Sequence, residues 1–592
     1  MSKLQGLRDA KTLNDVAHLL GFVPKGLSFV LYTLAPASKY TVFEIPKRSG
    51  GKRQIKSPEP RLLLLQKRLA KLLYECLEEL NKSKPPRRSL AHGFEKKRSI
   101  ITNAALHKRR RYVLNLDLQD FFPSINFGRV RGFFMKDKHF SLQEKVATIL
   151  AQIACHDHSL PQGSPCSPVI SNLIGHLLDS RLARFAKIHK CTYSRYADDI
   201  TFSTSKKDFP PELAFPAPYT QTDWQLGAEL RIKIEHSGFK INDSKTRMQF
   251  RGSRQVTTGL IVNEKVNIRP EYWRNARHMG HALFTTGSYF TMVPAALDGG
   301  ASTDPPVKKV AGNLNILSGT LAHIHQIKDR SDHRKRSEKR DHPTEARRLY
   351  FRFLFYRNFV ALDAPLIVPE GKTDGVYLRT AVHRLSDYHP RLGTITAGKF
   401  ESAICYMNYS KTVHEMLSLG NGTGNLKYFI IDYRKRVEFY AHAPLAFPVI
   451  VLVDNDDGGG ELFGYARANG APKISFASTD DFYHLGLNLY LVKTPEKMTA
   501  PHKSCIEDLF NPALLTTVLE GKTFDPNKEH NAPGKYGKVA FAERVVPPNA
   551  ATIDFSGFVP LINRIIAVMD HHAALKAATP APAVLPEIAA AV

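Results

Sequence analysis

Cysteine is scarce in this chain of 592 residues: six are scattered at positions 76, 155, 166, 191, 405 and 505, with no Cys-x-x-Cys pair. That spacing excludes a disulfide framework. Long apolar runs are missing too, and nothing approaches the ~20 residues of a membrane span. Met1-Ser2-Lys3-Leu4-Gln5-Gly6 lacks the apolar core of a signal peptide. These gaps predict a reduced, soluble, cytoplasmic protein with no membrane partner. Acidic residues are also in short supply. There are 55 Asp plus Glu against 83 Lys plus Arg, a formal charge of +28. Such an excess calls for a polyanionic partner, most simply nucleic acid. Hydrophobic content of 43% is ordinary for a globular protein. The length calls for several domain-sized units, and no internal repeat is visible.

What is present divides along the chain. Residues 1–328 are basic and rich in short strand and helix signals. Thr41-Val42-Phe43-Glu44-Ile45-Pro46 leads into Lys47-Arg48-Ser49-Gly50-Gly51-Lys52-Arg53, a cationic turn between two strands. Leu62 to Leu80 carries apolar residues at helical spacing. Ser167-Pro168 opens another helix, with Ser167 as N-cap and Pro168 in the first turn. Its stripe Val169, Leu173, Ile174, Leu177, Leu178, Leu182 and Phe185 predicts a core face. Residues 288–306, rich in Gly, Pro, Ser and Thr, read as a loop. Residues 329–360 begin with a run dominated by charge and predict a solvated linker. A second domain is expected over 361–570. Leu366-Ile367-Val368 and Val449 to Val453 are unbroken apolar runs, as in strands buried on both faces of a parallel sheet. Residues 571–592, rich in Ala and Pro, predict a poorly ordered tail.

Two acids, Asp198 and Asp199, sit between apolar and aromatic runs in Thr192-Tyr193-Ser194-Arg195-Tyr196-Ala197-Asp198-Asp199-Ile200-Thr201-Phe202-Ser203. The pattern predicts a β-hairpin with both acids at its turn. Asp is also simply a good turn residue. Yet two like charges about 4 Å apart repel by about 4 kcal/mol at an effective dielectric near 20, so a fold holding them together calls for a cation. Upstream, Tyr112-Val113-Leu114-Asn115-Leu116-Asp117 predicts a strand delivering Asp117. Placed beside the hairpin, Asp117, Asp198 and Asp199 would form an oxygen-rich site for two Mg2+ ions, the arrangement that suits nucleotidyl transfer.

In order and spacing these pieces resemble reverse transcriptases, and specifically those of retrons. The resemblance covers about residues 15–325. It rests on Asp117, Leu160-Pro161-Gln162-Gly163-Ser164-Pro165, the Tyr196-Ala197-Asp198-Asp199 box and Gly238-Phe239-Lys240-Ile241-Asn242-Asp243-Ser244-Lys245-Thr246. It implies an α+β right-hand polymerase of fingers, palm and thumb over residues 1–328. Asp117, Asp198 and Asp199 would be the catalytic metal ligands. Lys52, Arg53, Phe122, Gln162 and Gly163 would bind the nucleotide, with Phe122 selecting dNTPs. Two retron-like elements, Asn103-Ala104-Ala105-Leu106-His107 and Val256-Thr257-Thr258-Gly259, make Asn103, His107, Thr258 and Gly259 candidate RNA contacts. The second element carries an extra threonine, Thr257. Arg109 and Arg110, in a basic run beside the first, are further candidates, though solvated cations would look the same. The family implies a cognate structured non-coding RNA and a branched RNA–DNA product.

In the C-terminal part, Leu366-Ile367-Val368-Pro369 ends in Glu370, and Val451-Leu452-Val453 ends in Asp454-Asn455-Asp456. Parallel α/β sheets place ligands at the carboxyl ends of their strands. This resembles a Toprim domain, an α/β fold with a mostly parallel sheet. The resemblance implies Glu370 as acid/base group and Asp454 and Asp456 as ligands of Mg2+ or Mn2+. Ile506-Glu507-Asp508 is similar to a later acidic motif in OLD-like nucleases, with Glu507 as a further metal ligand. Lys535-Tyr536-Gly537-Lys538 reads equally as a phosphate-site lysine or a surface loop. The combined expectation is a retron reverse transcriptase with a fused effector nuclease acting in phage defence. Its nuclease substrate would be RNA, including tRNA, or DNA, and a homo-oligomer is left open. The rivals are a group II intron-type reverse transcriptase and a Toprim domain that only binds nucleic acid.

Overall fold

A computed structural model describes residues 2–46, 51–82, 89–218, 223–293, 307–420, 422–526 and 533–578. The expected cations Lys47 and Arg48 lie outside them. Two compact units result: Met1–Trp273 with Pro294–Pro306 and Gln326–His333, and the remainder from Arg274 to Val592. Among the described residues no single helix is long and apolar enough to cross a membrane.

In the first unit, β1 (Tyr40–Pro46) and β2 (Lys52–Pro58) form an antiparallel ribbon, with Ile45 opposite Arg53. Its residues are mostly exposed, so little besides cross-strand pairing holds it. Helix α1 (Pro60–Lys82) follows, starting on a proline that suits a first turn. Leu62, Leu65, Leu69, Leu72, Leu73, Cys76 and Leu80 are buried along one face, as their spacing predicts. After α2 (Ile100–Ala105) comes β3 (Tyr112–Gln119), the spine of the unit. It pairs with β5 (Asp199–Thr204), β6 (Lys240–Ile241) and β7 (Arg247–Phe250), and β4 (Thr192–Tyr196) adds on beyond β5, all antiparallel. Leu114, Leu116 and Leu118 put β3 in the hydrophobic core. Helix α3 (Ser167–Ile188) buries Val169, Leu173, Leu178, Leu182 and Phe185 there as well. Two details differ from expectation. Leu177 is 56% exposed. Ser167 is the first helical residue rather than the cap, and its hydroxyl donates to the Pro161 carbonyl at 2.9 Å. The short hairpin of β8 (Val256–Thr257) and β9 (Leu260–Ile261) turns through Thr258 and Gly259, whose φ values are +47° and +82°. Positive φ at both central residues gives the two-residue turn its twist.

The second unit contains more order than its composition predicts. Phe290–Val293 pairs with Val307–Val310, so strands flank the segment expected as loop, and 294–306 lies outside the described residues. The expected linker is helical over much of its length: α4 (Glu345–Phe355) runs into a π-helical turn to Val360 and buries Tyr350, Phe353, Phe355, Tyr356 and Phe359. Aromatic residues at helical spacing outweighed the charges between them. A five-stranded sheet follows. Strands β10 (Leu366–Pro369), β11 (Cys405–Tyr406), β12 (Val449–Val453) and β14 (Leu489–Lys493) are parallel, and β13 (Tyr483–His484) is antiparallel to β14. Around it lie α5 (Asp374–Arg384), α6 (Lys411–Leu417), α7 (Thr423–Val437) and α8 (Asp457–Ala468). Helix α9 (Val559–Ala578) continues past His571, where a tail was expected, and His572 is buried. Residues 579–592 lie outside the described part.

Candidate active sites

The first site grows out of the β4–β5 hairpin. Tyr196 pairs with Asp199, leaving Ala197 and Asp198 as a two-residue turn in which Ala197 takes φ +56°. An alanine in the left-handed region needs support. The fully buried Arg195 supplies it, donating to the Ala197 carbonyl at 2.9 Å. Arg195 is held in turn by Asp179 of α3, at 2.7 and 2.8 Å. Burial opposes the guanidinium charge, and the Asp179 carboxylate overcomes it. Two glycines make room. A Cβ on Gly175 would stand 2.8 Å from the Arg195 guanidinium, and one on Gly93 would stand 2.6 Å from the Ala197 nitrogen. This scaffold of Asp179, Arg195, Gly93 and Gly175 has no signature in the linear chain.

The turn sets Asp199 directly opposite Asp117 in the β3–β5 register, while the Asp198 carbonyl accepts from the Leu118 N–H at 3.0 Å. All three acids therefore meet at one end of the paired central strands β3 and β5. Burial pushes Asp199 up to about 7, with Asp198 and Asp117 adding their charges, although the residue keeps an edge open to solvent. Burial and Asp117 also raise Asp198. Lys245 answers part of this charge, placing its ammonium 3.0 and 2.9 Å from the Asp117 oxygens. Asn242 hydrogen-bonds the Asp117 backbone at 2.8 Å. Both residues lie in the Gly238–Thr246 segment, but only the fold gives them a role. Carboxylates whose proton affinity is raised by burial and by mutual repulsion make a donor set suited to a hard cation. Among the described residues they are not drawn into a closed ligand cluster.

The expected nucleotide contacts are placed unevenly. Lys52 and Arg53 are exposed at the start of β2, where Lys52 pairs with Glu44 at 2.9 Å. Arg53 acts electrostatically on Asp198. The Gln162 carbonyl accepts from the Lys56 N–H at 2.8 Å, and Gly163 has φ +121° with the Lys56 carbonyl 2.5 Å from where a Cβ would stand. Only glycine allows that approach. Phe122 is half-buried between Phe121 and Phe94, at ring distances of 5.4 and 6.1 Å.

Two of the expected RNA contacts need correcting. Asn103 and His107 are fully buried and offer no surface to RNA. His107 ties the hairpin together, its ring nitrogens each 2.7 Å from the hydroxyls of Ser203 and Ser194. Burial, with Arg110 and His92, depresses it to about 3, so it stays neutral. Arg109 is exposed near Glu264, and Arg110 is half-buried against the Thr192 hydroxyl. Thr258 bonds the Ile100 carbonyl at 3.2 Å, and Gly259 is exposed.

The second site stands at the carboxyl ends of β10 and β12, parallel neighbours with Pro369 opposite Leu452. Glu370 and Asp454 follow directly, and the Asp454 N–H points at Glu370 Oε2 from 3.4 Å. Asp374, unassigned in the sequence reading, joins them. It is buried and accepts from the Gly371 N–H at 2.7 Å. Asp456 caps α8 by accepting from the Gly459 N–H at 2.9 Å. Glu507 arrives on a short 3-10 turn whose Ile506 N–H donates to Asp454 Oδ1 at 2.9 Å. Lys538 proves not to be a loose surface residue: it pairs with Glu507 at 3.0 Å. Burial, then Asp374 and Glu507, pushes Asp454 up to about 8. Burial, with Asp456 and Asp374, pushes Glu370 up to about 7. Glu507 is 1% exposed, and its second oxygen has no hydrogen-bond partner in the protein. An orphaned carboxylate oxygen among acids suits a divalent ion, and among the described residues these groups, like those of the first site, are not drawn into a closed ligand cluster.

Residues 45–271 match the family model described as reverse transcriptase (RNA-dependent DNA polymerase). The chain is 34% identical to the retron Mx162 reverse transcriptase of Myxococcus xanthus over 44% of its own length and 55% of the relative. It is 36% identical to the Mx65 enzyme of the same organism, over 47% of this chain and 64% of that one. To the retron Ec86 reverse transcriptase of Escherichia coli it is 31% identical, over 47% of this chain and 80% of the relative. It thus spans between half and two thirds of the Myxococcus relatives. The chain belongs to the retron reverse transcriptases.

Proposed function

Starting from that membership, we propose that the N-terminal unit copies a structured non-coding RNA of its own into branched, RNA-linked single-stranded DNA. The C-terminal unit, in this reading, is a Toprim-type nuclease fused as an effector in phage defence. The observation that carries the polymerase reading is the register of Asp117 against Asp199, with Asp198 at the turn between. Divalent ions held there would favour ionisation of the attacking hydroxyl and neutralise the departing pyrophosphate. In the transfer the hydroxyl loses its proton, a bond forms to the α-phosphorus, and the bond to pyrophosphate breaks. Asp117, Asp198 and Asp199 hold the charge of that centre. Lys52 and Arg53 meet the triphosphate, and Phe122 stacks under the sugar to exclude a 2′-hydroxyl.

The nuclease reading is supported by Glu370, Asp374, Asp454 and Glu507 gathered beside Lys538. Mg2+ or Mn2+ would be held by Asp454, Asp456 and Glu507. In that hydrolysis water would form a bond to phosphorus, losing its proton to solvent, as the bond to the leaving oxygen breaks. Glu370, poised near neutral, would give that oxygen its proton. The substrate class is RNA, including tRNA, or DNA, and the RNA–DNA product restrains the effector until infection disturbs it. Primer extension on an RNA template with Asp198→Asn tests the first activity; unaltered cDNA yield sinks it. Phage challenge of cells expressing Glu370→Ala tests the second. Protection equal to wild type would overturn the effector role.

A further inference from the structure

A cavity of about 790 Å³ opens in the C-terminal unit among α4, α6 and α7. It shares no lining residue with the carboxylate cluster. Six of its lining side chains are Arg or Lys, two are acids and five are aromatic. Several of the cations are already answered. Arg436 pairs with Asp432 at 2.8 Å, Arg340 with Asp341 at 3.0 Å, and Arg348 with Glu345. Among the described residues, Arg352 and Lys435 form no ion pair, although the Glu345 carboxylate partly offsets the Arg352 charge. Arg352 instead lies over the Phe439 ring, 3.7 Å from its centroid. Burial and the neighbouring Arg348 both press against its charge. Tyr428 and Phe439 are 59% and 45% exposed, with the Lys427 ammonium 5.0 Å from the Tyr428 ring centroid as Arg352 is over Phe439.

This combination selects one ligand chemistry. An apolar ligand would leave the cations that lack an ion pair unused, and a bare inorganic anion would leave the exposed rings unused. Guanidinium and ammonium groups without carboxylates are phosphate donors. Exposed aromatic faces stack nucleobases in any sequence. The volume lies in the range of small-ligand sites.

We propose that this cavity binds a nucleoside phosphate, with the base on Tyr428 and the phosphate between Arg352 and Lys435. The segment from Arg340 to Arg352, a solvated linker by its sequence, is one wall of the site. The proposal does not rest on the nuclease reading. The nucleotide is either free or part of a single strand, and the two share this recognition.

The test uses the full chain in EDTA, which withholds divalent ions from both carboxylate sites. It is irradiated with 8-azidoadenosine 5′-triphosphate, or with a five-residue RNA carrying 8-azidoadenosine, and the labelled peptides are mapped. Labelling should fall on peptides containing Tyr428 or Phe439. It should drop by about tenfold in Tyr428→Ala with Lys435→Glu, the scale of one lost base stack. Both substitutions are at exposed positions, and an unchanged melting temperature together with unchanged primer extension shows the fold intact. Should that pair unfold the chain, Lys435→Glu alone, expected to lower labelling severalfold, replaces it. Labelling by the mononucleotide alone assigns a free nucleotide, and labelling by the oligonucleotide alone assigns a strand. Label confined to other peptides, or undiminished in the variant, overturns the proposal.

Discussion

The N-terminal unit gathers its acids on an antiparallel sheet, the C-terminal unit at the ends of parallel strands. In the first, two of the three acids are adjacent in the chain, and a single register, Asp117 against Asp199, brings in the third. In the second, Glu370, Asp374, Asp454 and Glu507 come from three distant segments. A single lysine partly answers each cluster: Lys245 on Asp117, and Lys538 on Glu507. The antiparallel site needs one scaffold under its turn, the buried Arg195–Asp179 pair. The parallel site uses backbone N–H groups of Gly371 and Ile506 to aim carboxylates. A hairpin turn fixes neighbours by covalent geometry, whereas strand ends in a crossover fold must be aligned by everything packed around them.

Substitutions that break one site and spare the other separate the two most sharply. Asp199→Asn should lower cDNA synthesis by far more than about a hundredfold, since even indirect partners of metal ligands cost 10–100-fold. Metal-dependent hydrolysis should be unaffected. Glu370→Gln should do the reverse, and the two activities are read on the same preparations. The scaffold gives the next effect. Asp179→Ala leaves Arg195 buried without its partner and should cost about 3–5 kcal/mol, measured by denaturant unfolding of the N-terminal transition.

Proton linkage sharpens the comparison. Asp199, Glu370 and Asp454 sit at about 7, 7 and 8, above their ordinary values. Raised carboxylates oppose folding as they ionise, so this penalty is absent below about pH 4 and grows as the pH rises towards 8. Mg2+ held as proposed would have to displace those protons, so its stabilising shift in melting temperature should be larger at pH 8 than at pH 6. An equal shift at both pH values would contradict the ligand assignment. The smallest effect is expected from Lys538→Met. Removing this cation raises Asp454 further and moves the metal dependence of the second site to higher pH by under about one unit. The first site should keep its profile.

Much of both sites was legible because strand ends and turns leave local marks: alternating apolar runs, then acids. Asp117, Asp198, Asp199, Glu370 and Asp454 were read that way. Asn103 and His107 misled, because a family element marks what is needed, not whether it faces RNA or the inside of a hairpin. The linker misled for a related reason. A count of charges over 329–360 hides Tyr350, Phe353, Phe355 and Phe359, which fall on one face only once a helix forms. Asp374 was in view within the Glu370 run, yet nothing local distinguishes a cluster member from a helix N-terminal acid.

By itself the sequence determined the basic balance, the identity and order of the acids, the core stripe of the helices and the resemblance to retron enzymes, all properties carried by composition or short periodic patterns. Only the tertiary structure decided which groups meet. Long-range pairing set Asp117 against Asp199, buried Arg195 on Asp179, and brought Lys538 to Glu507 across 31 residues of chain. It also left Arg352 and Lys435 without an ion pair beside the exposed Tyr428 and Phe439. Contacts between residues distant in the chain depend on packing, and packing writes no local signal.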